Sequence, residues 1–249
     1  MPTDFRHEYK YLCSSDQLTV ERSRLASLLH PDPHAGPDGR YEIRSVYFDD
    51  PEDGCLQENE DGTDPRAKYR LRIYNGSDAR ISLERKAKLR GLTHKDAVLI
   101  PRSAAEALLA GRIPFPDPAD PPLLRRMLAD MQLRLLRPKV VVQYLRTPFV
   151  HEIGNVRVTL DEHIASSQAT DRFFESGIPL RPILPTGQGV LEVKWDELFP
   201  TWLYQSLQLE GLQWTNFSKY YLCRKFNTHG VPQSLPLEGK VPQCAHWGG

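Results

Sequence analysis

The sequence predicts an α+β protein: an antiparallel β-tunnel, a closed or nearly closed barrel with a charged lumen, flanked by helices. Three observations predict it. Most strand-like segments alternate apolar and polar residues at a period of two. In several of them the polar parity carries Arg, Lys and Glu, so more than one strand has a charged face to place. Charge is also segregated along the chain. Residues 66–95 hold ten basic and two acidic residues, although the 249-residue chain carries 32 of each sign. One cationic strand would be a solvated surface or a blunted edge. Several such strands, each greasy on its other face, point to a wet, charged interior.

Residues 5–12 read as the first strand, with Phe5, Tyr9 and Tyr11 on one parity and Arg6, Glu8 and Lys10 on the other. Ser14, Ser15 and Asp16 supply an N-cap for a helix to about Leu29, with Leu18, Arg22, Leu25 and Leu29 along one stripe. Residues 30–39, with Pro and Gly, end it. In the strand over 41–49, Ile43, Ser45 and Tyr47 oppose Arg44, Val46 and Phe48. Residues 49–64 hold eight acidic residues and no basic one, and read as an exposed, mobile connection.

The cationic hairpin follows. Leu71 and Ile73 leave one face of its first strand, with Tyr69, while Arg70 and Arg72 leave the other. After the turn-forming Asn75-Gly76-Ser77-Asp78, Ile81 and Leu83 oppose Arg80, Ser82, Glu84, Lys86 and Lys88. Like charges on adjacent strands repel, so this face needs compensation. A strand near 95–100 comes next, then a short helix opened by a Ser103–Glu106 capping box and closed by Gly111. Residues 114–122 are loop. A helix over 123–136 carries Leu124, Met127, Leu128, Met131 and Leu135 on one side. Strands over 139–146 and 155–162 follow, joined by a turn at 152–154, with Arg157, Thr159 and Asp161 sharing a face. A strand over 189–196 and a helix over 215–226 complete a domain spanning 1–227. Residues 228–249, rich in Pro and Gly, read as a poorly ordered tail.

Composition narrows the class. The chain is 40% hydrophobic and 26% charged, as in ordinary globular proteins. No apolar run is long enough to span a bilayer and no apolar leader precedes the first strand, so a cytoplasmic protein without a membrane segment is expected. Cys13, Cys55, Cys223 and Cys244 are far apart and form no metal-type pair. Net neutrality argues against a nucleic-acid binder. The P-loop, the dinucleotide loop, the G-x-S-x-G elbow and the H-E-x-x-H zinc pair are all missing.

What remains is a set of cations with a few carboxylates among them. Phosphoryl transfer asks for this equipment, because its catalysis is largely positioning and electrostatic stabilisation. Arginine forks bind phosphate oxygens bidentately, lysines act as point charges, and carboxylates hold the divalent ion that bridges phosphates.

The motifs R-x-E-x-K-Y (from Arg6), K-Y-R-L-R-x-Y (from Lys68), L-E-R-K (from Leu83), Y-x-R (from Tyr144), R-V-T-L-D (from Arg157), L-E-V-K (from Leu191) and F-S-K-Y (ending at Tyr220) occur in that order. In this the chain resembles the VTC polyphosphate polymerase domain, a branch of the triphosphate tunnel metalloenzymes, or CYTH superfamily. The resemblance covers about residues 5–226. It implies a tunnel that binds the triphosphate of ATP, uses Mn²⁺ or Mg²⁺, and moves the γ-phosphate onto a polyphosphate chain. It further implies that Arg70, Arg72, Lys86, Arg146 and Arg157 are catalytic, and that Lys10, Lys95, Lys194 and Lys219 bind phosphate. Glu192 is the implied metal carboxylate. Glu8 and Glu84 either assist it or hold neighbouring lysines in place. Lys194 is either a phosphate ligand or the partner of Glu192. Arg6 and Lys88 share the inward parity and fall at the tunnel mouth. Fungal members carry a membrane-spanning region and a regulatory domain, so this chain reads as a stand-alone, bacterial-type version.

Two other functions fit the same residues. A hydrolase of the same fold would cleave tripolyphosphate or another triphosphate with water as acceptor. A non-catalytic module would bind polyanions without metal, with Tyr69, Tyr74 and Tyr144 as a stacking platform.

Overall fold

The computed structural model describes residues 5–216 and 218–229. Strand β1 (Phe5–Ser14) ends where Ser14 caps helix α1 (Ser15–Leu28): its hydroxyl accepts from the Gln17 amide, and the Gln17 side chain accepts from the Ser14 amide. Next come β2 (His30–Pro31), β3 (Tyr41–Asp49) and α2 (Gly54–Glu60). The hairpin is β4 (Arg66–Tyr74) and β5 (Ser77–Leu89), followed by β6 (Leu92–Leu99). Its turn is tight because Asn75 and Gly76 both take positive φ, 51° and 65°. Helices α3 (Arg102–Leu109) and α4 (Pro122–Leu133) lead into β7 (Arg137–His151), β8 (Val156–Ser167), β9 (Arg181–Pro182) and β10 (Gln188–Trp195). Helix α5 (Thr201–Leu207), β11 (Gln213–Trp214) and α6 (Lys219–His229) complete the described chain.

Eight strands close a ring in the order β7, β3, β4, β5, β6, β1, β10, β8 and back to β7. Every neighbouring pair in the ring is antiparallel. Closure pairs most of the strand edges. The β1–β6 seam is the thinnest, joined at Phe5 with His94 and Arg6 with Thr93.

The outward parities of the strands are greasy, as expected. Leu71, Ile73, Ile81 and Leu83 pack under α3 and α4 with Met127, Leu128 and Met131. Val158, Leu160, Leu191 and Val193 pack under α1 and α5 with Leu18, Leu25, Leu203 and Leu207. The inward parity is not uniformly charged. Val140, Val142 and Tyr144 of β7 pack with Tyr220, Leu222 and Cys223, so α6 fills part of the interior with apolar groups. The cations occupy the remainder.

Several local expectations are corrected. The acidic stretch is not a loose connection, because it folds into α2. Its amides at Cys55 and Leu56 donate to the Asp49 carboxylate, and Gly54 donates to Asp50. Anions at a helix N-terminus are favourable. Ser103 lies inside α3, whose N-cap is Pro101 without a side-chain bond, so there is no capping box. Helix α4 ends at Leu133, and Leu135 takes positive φ and is half exposed. The last helix begins at Lys219, not Thr215, and α5 was not anticipated. The tail from residue 228 was expected to be poorly ordered. Helix α6 includes Thr228 and His229, and residues 230–249, with Cys244, lie outside the described residues. Cys13, Cys55 and Cys223 are buried and unbridged. Among the described residues no helix is long and apolar enough to cross a membrane.

Candidate functional site

Inside the ring a cavity of about 590 Å³ is lined by ten basic and three acidic side chains. The β4–β5 hairpin supplies one wall. Arg70 and Arg72 point inward because Leu71 and Ile73, on the other parity, are fully buried outside. Arg70 Nε donates to Glu84 Oε2 at 2.7 Å and its Nη1 to the Tyr47 hydroxyl at 2.9 Å. Arg72 lies 3.8 Å from the same carboxylate and donates to Ser45 Oγ at 3.1 Å and the Tyr144 hydroxyl at 3.3 Å. Burial alone would raise the Glu84 carboxyl, but Arg70, Arg72 and Lys95 hold it well below its ordinary value.

The opposite wall comes from β1 and β10, whose register sets Lys10 across from Glu192 and Glu8 across from Lys194. Lys86 Nζ reaches both oxygens of Glu8, at 2.7 and 3.0 Å, and Lys10 lies 2.6 Å from it. Burial raises the Glu8 carboxyl, and Lys10 and Lys86 more than reverse this, bringing it to about 2. Glu192 meets Arg146 at 3.1 Å, Lys194 at 3.2 Å and Lys10 at 4.0 Å. Burial opposes its charge, yet Lys194 and Lys10 hold its carboxyl well below its ordinary value. Lys194 is pushed down to about 8 by burial, in spite of Glu192 and Glu8.

The floor is β7, β8 and the start of α6. Arg146 grips Asp161 with both arms, at 2.6 and 2.7 Å, and Lys219 joins that carboxylate at 2.7 Å. Ser218 caps α6, accepting from the Tyr221 amide at 3.3 Å, so Lys219 enters the lumen from a helix N-terminus.

Nine of the expected site residues line this cavity: Glu8, Lys10, Arg70, Arg72, Lys86, Arg146, Glu192, Lys194 and Lys219. Three do not. Glu84 sits behind Arg70 as its anchor. Lys95 is exposed, its side chain 48% accessible, 3.4 Å from Glu84. Arg157 pairs with Asp32 at 2.6 Å and the Tyr41 hydroxyl at 2.8 Å, outside the lining. Sequence reasoning did not select Lys68, Asp161, Tyr47 or Ser218. Lys68 shares the parity of Arg70 and Arg72 in K-Y-R-L-R, and that signal was available. Its ammonium donates to Asn59 Oδ1 at 3.0 Å and Ser218 Oγ at 3.4 Å. Burial, then repulsion from Lys86, Arg66 and Lys10, pushes it down to about 7. Tyr69 packs outside, its hydroxyl on Asp130 at 2.6 Å, so it offers no stacking platform to the lumen.

Among the described residues no three His, Cys, Asp or Glu side chains converge as a metal cage. A hard divalent ion shared with phosphates does not need one, since one or two carboxylates suffice. Glu8 and Glu192, adjacent and both ionised, form a donor set of that kind.

A closed antiparallel ring around a lumen crowded with arginine and lysine is the architecture of the triphosphate-tunnel, or CYTH-like, class. Within it the chain belongs to the VTC domain family, whose model matches residues 5–226. Similar solved structures include a candidate adenylyl cyclase from Hippeastrum with a dominant triphosphatase activity. It is 15% identical, with a TM-score of 0.54 over 95% of this chain and 99% of that one. A candidate adenylate cyclase from Bacillus halodurans is 16% identical, with a TM-score of 0.46 over 82% of this chain and 89% of that one. The PH1819 protein of Pyrococcus horikoshii is 13% identical, with a TM-score of 0.46 over 87% and 97%. No curated protein matches the chain.

Proposed function

We propose that the protein is a metal-dependent phosphotransferase that moves the γ-phosphate of ATP onto a polyphosphate chain inside the basic cavity. The observation that carries this reading is the lining itself: ten basic groups against three acidic ones in a partly enclosed space. Such an excess favours a ligand bearing several negative charges on linked groups.

Arg70, Arg72 and Arg146 are held by Glu84 and Asp161, so their forks are oriented before substrate arrives. Lys10, Lys86, Lys194 and Lys219 add point charges on the other sides. Glu8 and Glu192 would hold the Mn²⁺ or Mg²⁺, which neutralises phosphate oxygens when bound. An oxygen of the terminal phosphate of the acceptor attacks the γ-phosphorus, the bond to the β–γ bridging oxygen breaks, and ADP departs. That acceptor is already ionised, so no side chain has to remove a proton. The absence of a requirement for a general base agrees with carboxylates that are all engaged by cations.

One observation favours a second reading, hydrolysis of a short triphosphate by water. Helix α6 covers the inward faces of Val140 and Val142 and so shortens the open lumen. Incubation with ATP and Mn²⁺, followed by gel separation of products, tests both. Long polyphosphate is expected; free phosphate as sole product would replace the transferase reading with the hydrolase one. Metal-independent polyphosphate binding with no turnover, unaffected by Glu192→Ala, would leave only a binding module.

A further inference from the structure

Three polar side chains of the cavity wall, Asn59, Lys68 and Ser218, have no part in the transfer described above. They come from α2, from β4 and from the cap of α6. Lys68 Nζ lies 3.4 Å from Ser218 Oγ and 3.0 Å from Asn59 Oδ1. The lysines assigned to phosphate, Lys10, Lys86, Lys194 and Lys219, each meet a carboxylate at between 2.6 and 3.2 Å. Lys68 has two neutral partners instead, so its own hydrogen bonds do little to hold a proton on it. Its surroundings weaken that hold further. Burial, then Lys86 of β5, Arg66 and Lys10 of β1, bring the ammonium down to about 7, with Cys55 of α2 and the Tyr220 ring of α6 acting the other way. A lysine so placed is partly neutral near neutral pH and can accept a proton.

A hydroxyl, a base within reach of it and a third group that orients the base are the signature of an activated nucleophile. Ser218 Oγ accepts from the Tyr221 amide at 3.3 Å, which fixes the oxygen and leaves its proton for Lys68. The next residue, Lys219, is one of the groups assigned to phosphate, so the hydroxyl stands beside a place for the transferred group. Elongation gives such a pair nothing to do, because the phosphate at a chain end is already ionised. A hydroxyl acceptor does need its proton removed, and the cavity wall holds one beside a base.

We propose that Ser218 is a phosphoryl acceptor, with Lys68 as its base, and that phosphoserine at this position supplies the first phosphate onto which a chain is built. The inference rests on the transferase reading above. Ser218 Oγ attacks the γ-phosphorus of ATP, the bond to the β–γ bridging oxygen breaks, and ADP leaves with that electron pair. The serine proton passes to Lys68 Nζ. The phosphoserine is then an ionised acceptor like any chain end, and later transfers need no base.

Incubation of the protein with γ-labelled ATP and Mn²⁺, without added polyphosphate, followed by a denaturing gel, tests it. Label should stay on the chain in acid, leave it in alkali as a phosphoserine does, and map to Ser218 by mass spectrometry. Ser218→Ala should lose label by about a hundredfold or more, and Lys68→Arg by a similar factor, since arginine keeps the charge but cannot take the proton. Ser218→Thr should retain it as phosphothreonine. Asn59→Asp sets a carboxylate against Lys68 that holds its proton, and should slow labelling by about tenfold. Ser218→Gly, which also caps a helix, answers for the alanine variant should that fold poorly. Calorimetric binding of tripolyphosphate shows which variants have formed the cavity. Label that persists in Ser218→Ala, or is unchanged in Lys68→Arg, would overturn the pair. Polyphosphate made from ATP with no labelled protein would overturn the priming step and leave the transferase reading standing. Neither polymer nor label would remove both.

Discussion

Glu84 is 2% exposed, and a carboxylate so placed stays ionised only because cations surround it. Arg70 and Arg72 make that possible, and Lys95 adds a third positive charge. Removing Arg72 therefore leaves Glu84 paired while taking one charge from a repulsive cluster. Arg72→Ala is expected to fold with an unfolding midpoint within a few degrees of wild type and to lose turnover by about a hundredfold or more. Circular dichroism and the product assay check it; an unfolded variant would make Arg72 structural. Lys68 leads to a different expectation. Its ordinary value lies above 10, and burial with neighbouring cations brings it to about 7. It is charged below that pH and neutral above it, and only the charged form attracts phosphate. Tripolyphosphate affinity should therefore fall as pH rises from about 7 to 9, by up to tenfold per unit for one required proton. Lys68→Met should flatten the profile to what Lys194, titrating near 8, leaves behind. A variant profile as steep as wild type would assign the proton elsewhere.

At the scale of elements, α6 and α2 are tied together by one carboxylate. Asp49 is fully buried at the end of β3 and accepts from the amides of Asp50, Cys55 and Leu56 and from the Tyr220 hydroxyl. This fixes α6 over the lumen and with it Ser218 and Lys219. Tyr220→Phe keeps the ring but removes the donor, while Asp49 retains its three amides. A loss of about 1–2 kcal/mol is expected in denaturant unfolding, with a fall in turnover larger than the change in ATP affinity. Unchanged turnover would mean that packing alone holds α6. These tertiary ties also explain what could be read from the chain. The hairpin was legible because its period of two is strict on both strands, and with it the inward set Arg70, Arg72 and Lys86. Helix α2 was not, because its stability comes from Asp49 and Asp50 capping its amides and from Asp53 pairing with Lys139 and Arg224. The position of Arg157 was not legible either. Parity set its face, but only the folded loop at Asp32 decides that its charge is spent outside the cavity.

At the scale of the whole molecule, the chain is neutral, with 32 residues of each sign, yet its cations are concentrated where solvent is scarce. A lining with ten basic and three acidic groups keeps a net positive charge, which on the function proposed above a bound polyanion relieves. Binding to the native state alone must then raise stability by RT ln(1 + [L]/Kd), about 2.7 kcal/mol at a hundred times Kd. For a domain of this size that is a rise of about 5–10 °C in the unfolding midpoint. Tripolyphosphate should give it in a thermal melt, and sodium chloride of equal ionic strength should not, since a screened monovalent ion cannot bridge several cations at once. The increment should shrink in Arg70→Ala, whose charge lines the cavity, and persist in Arg157→Ala, whose charge does not. If chloride and tripolyphosphate raised the midpoint equally, the lumen would be relieved by screening alone, and its cations would form a diffuse field without a site for linked phosphates.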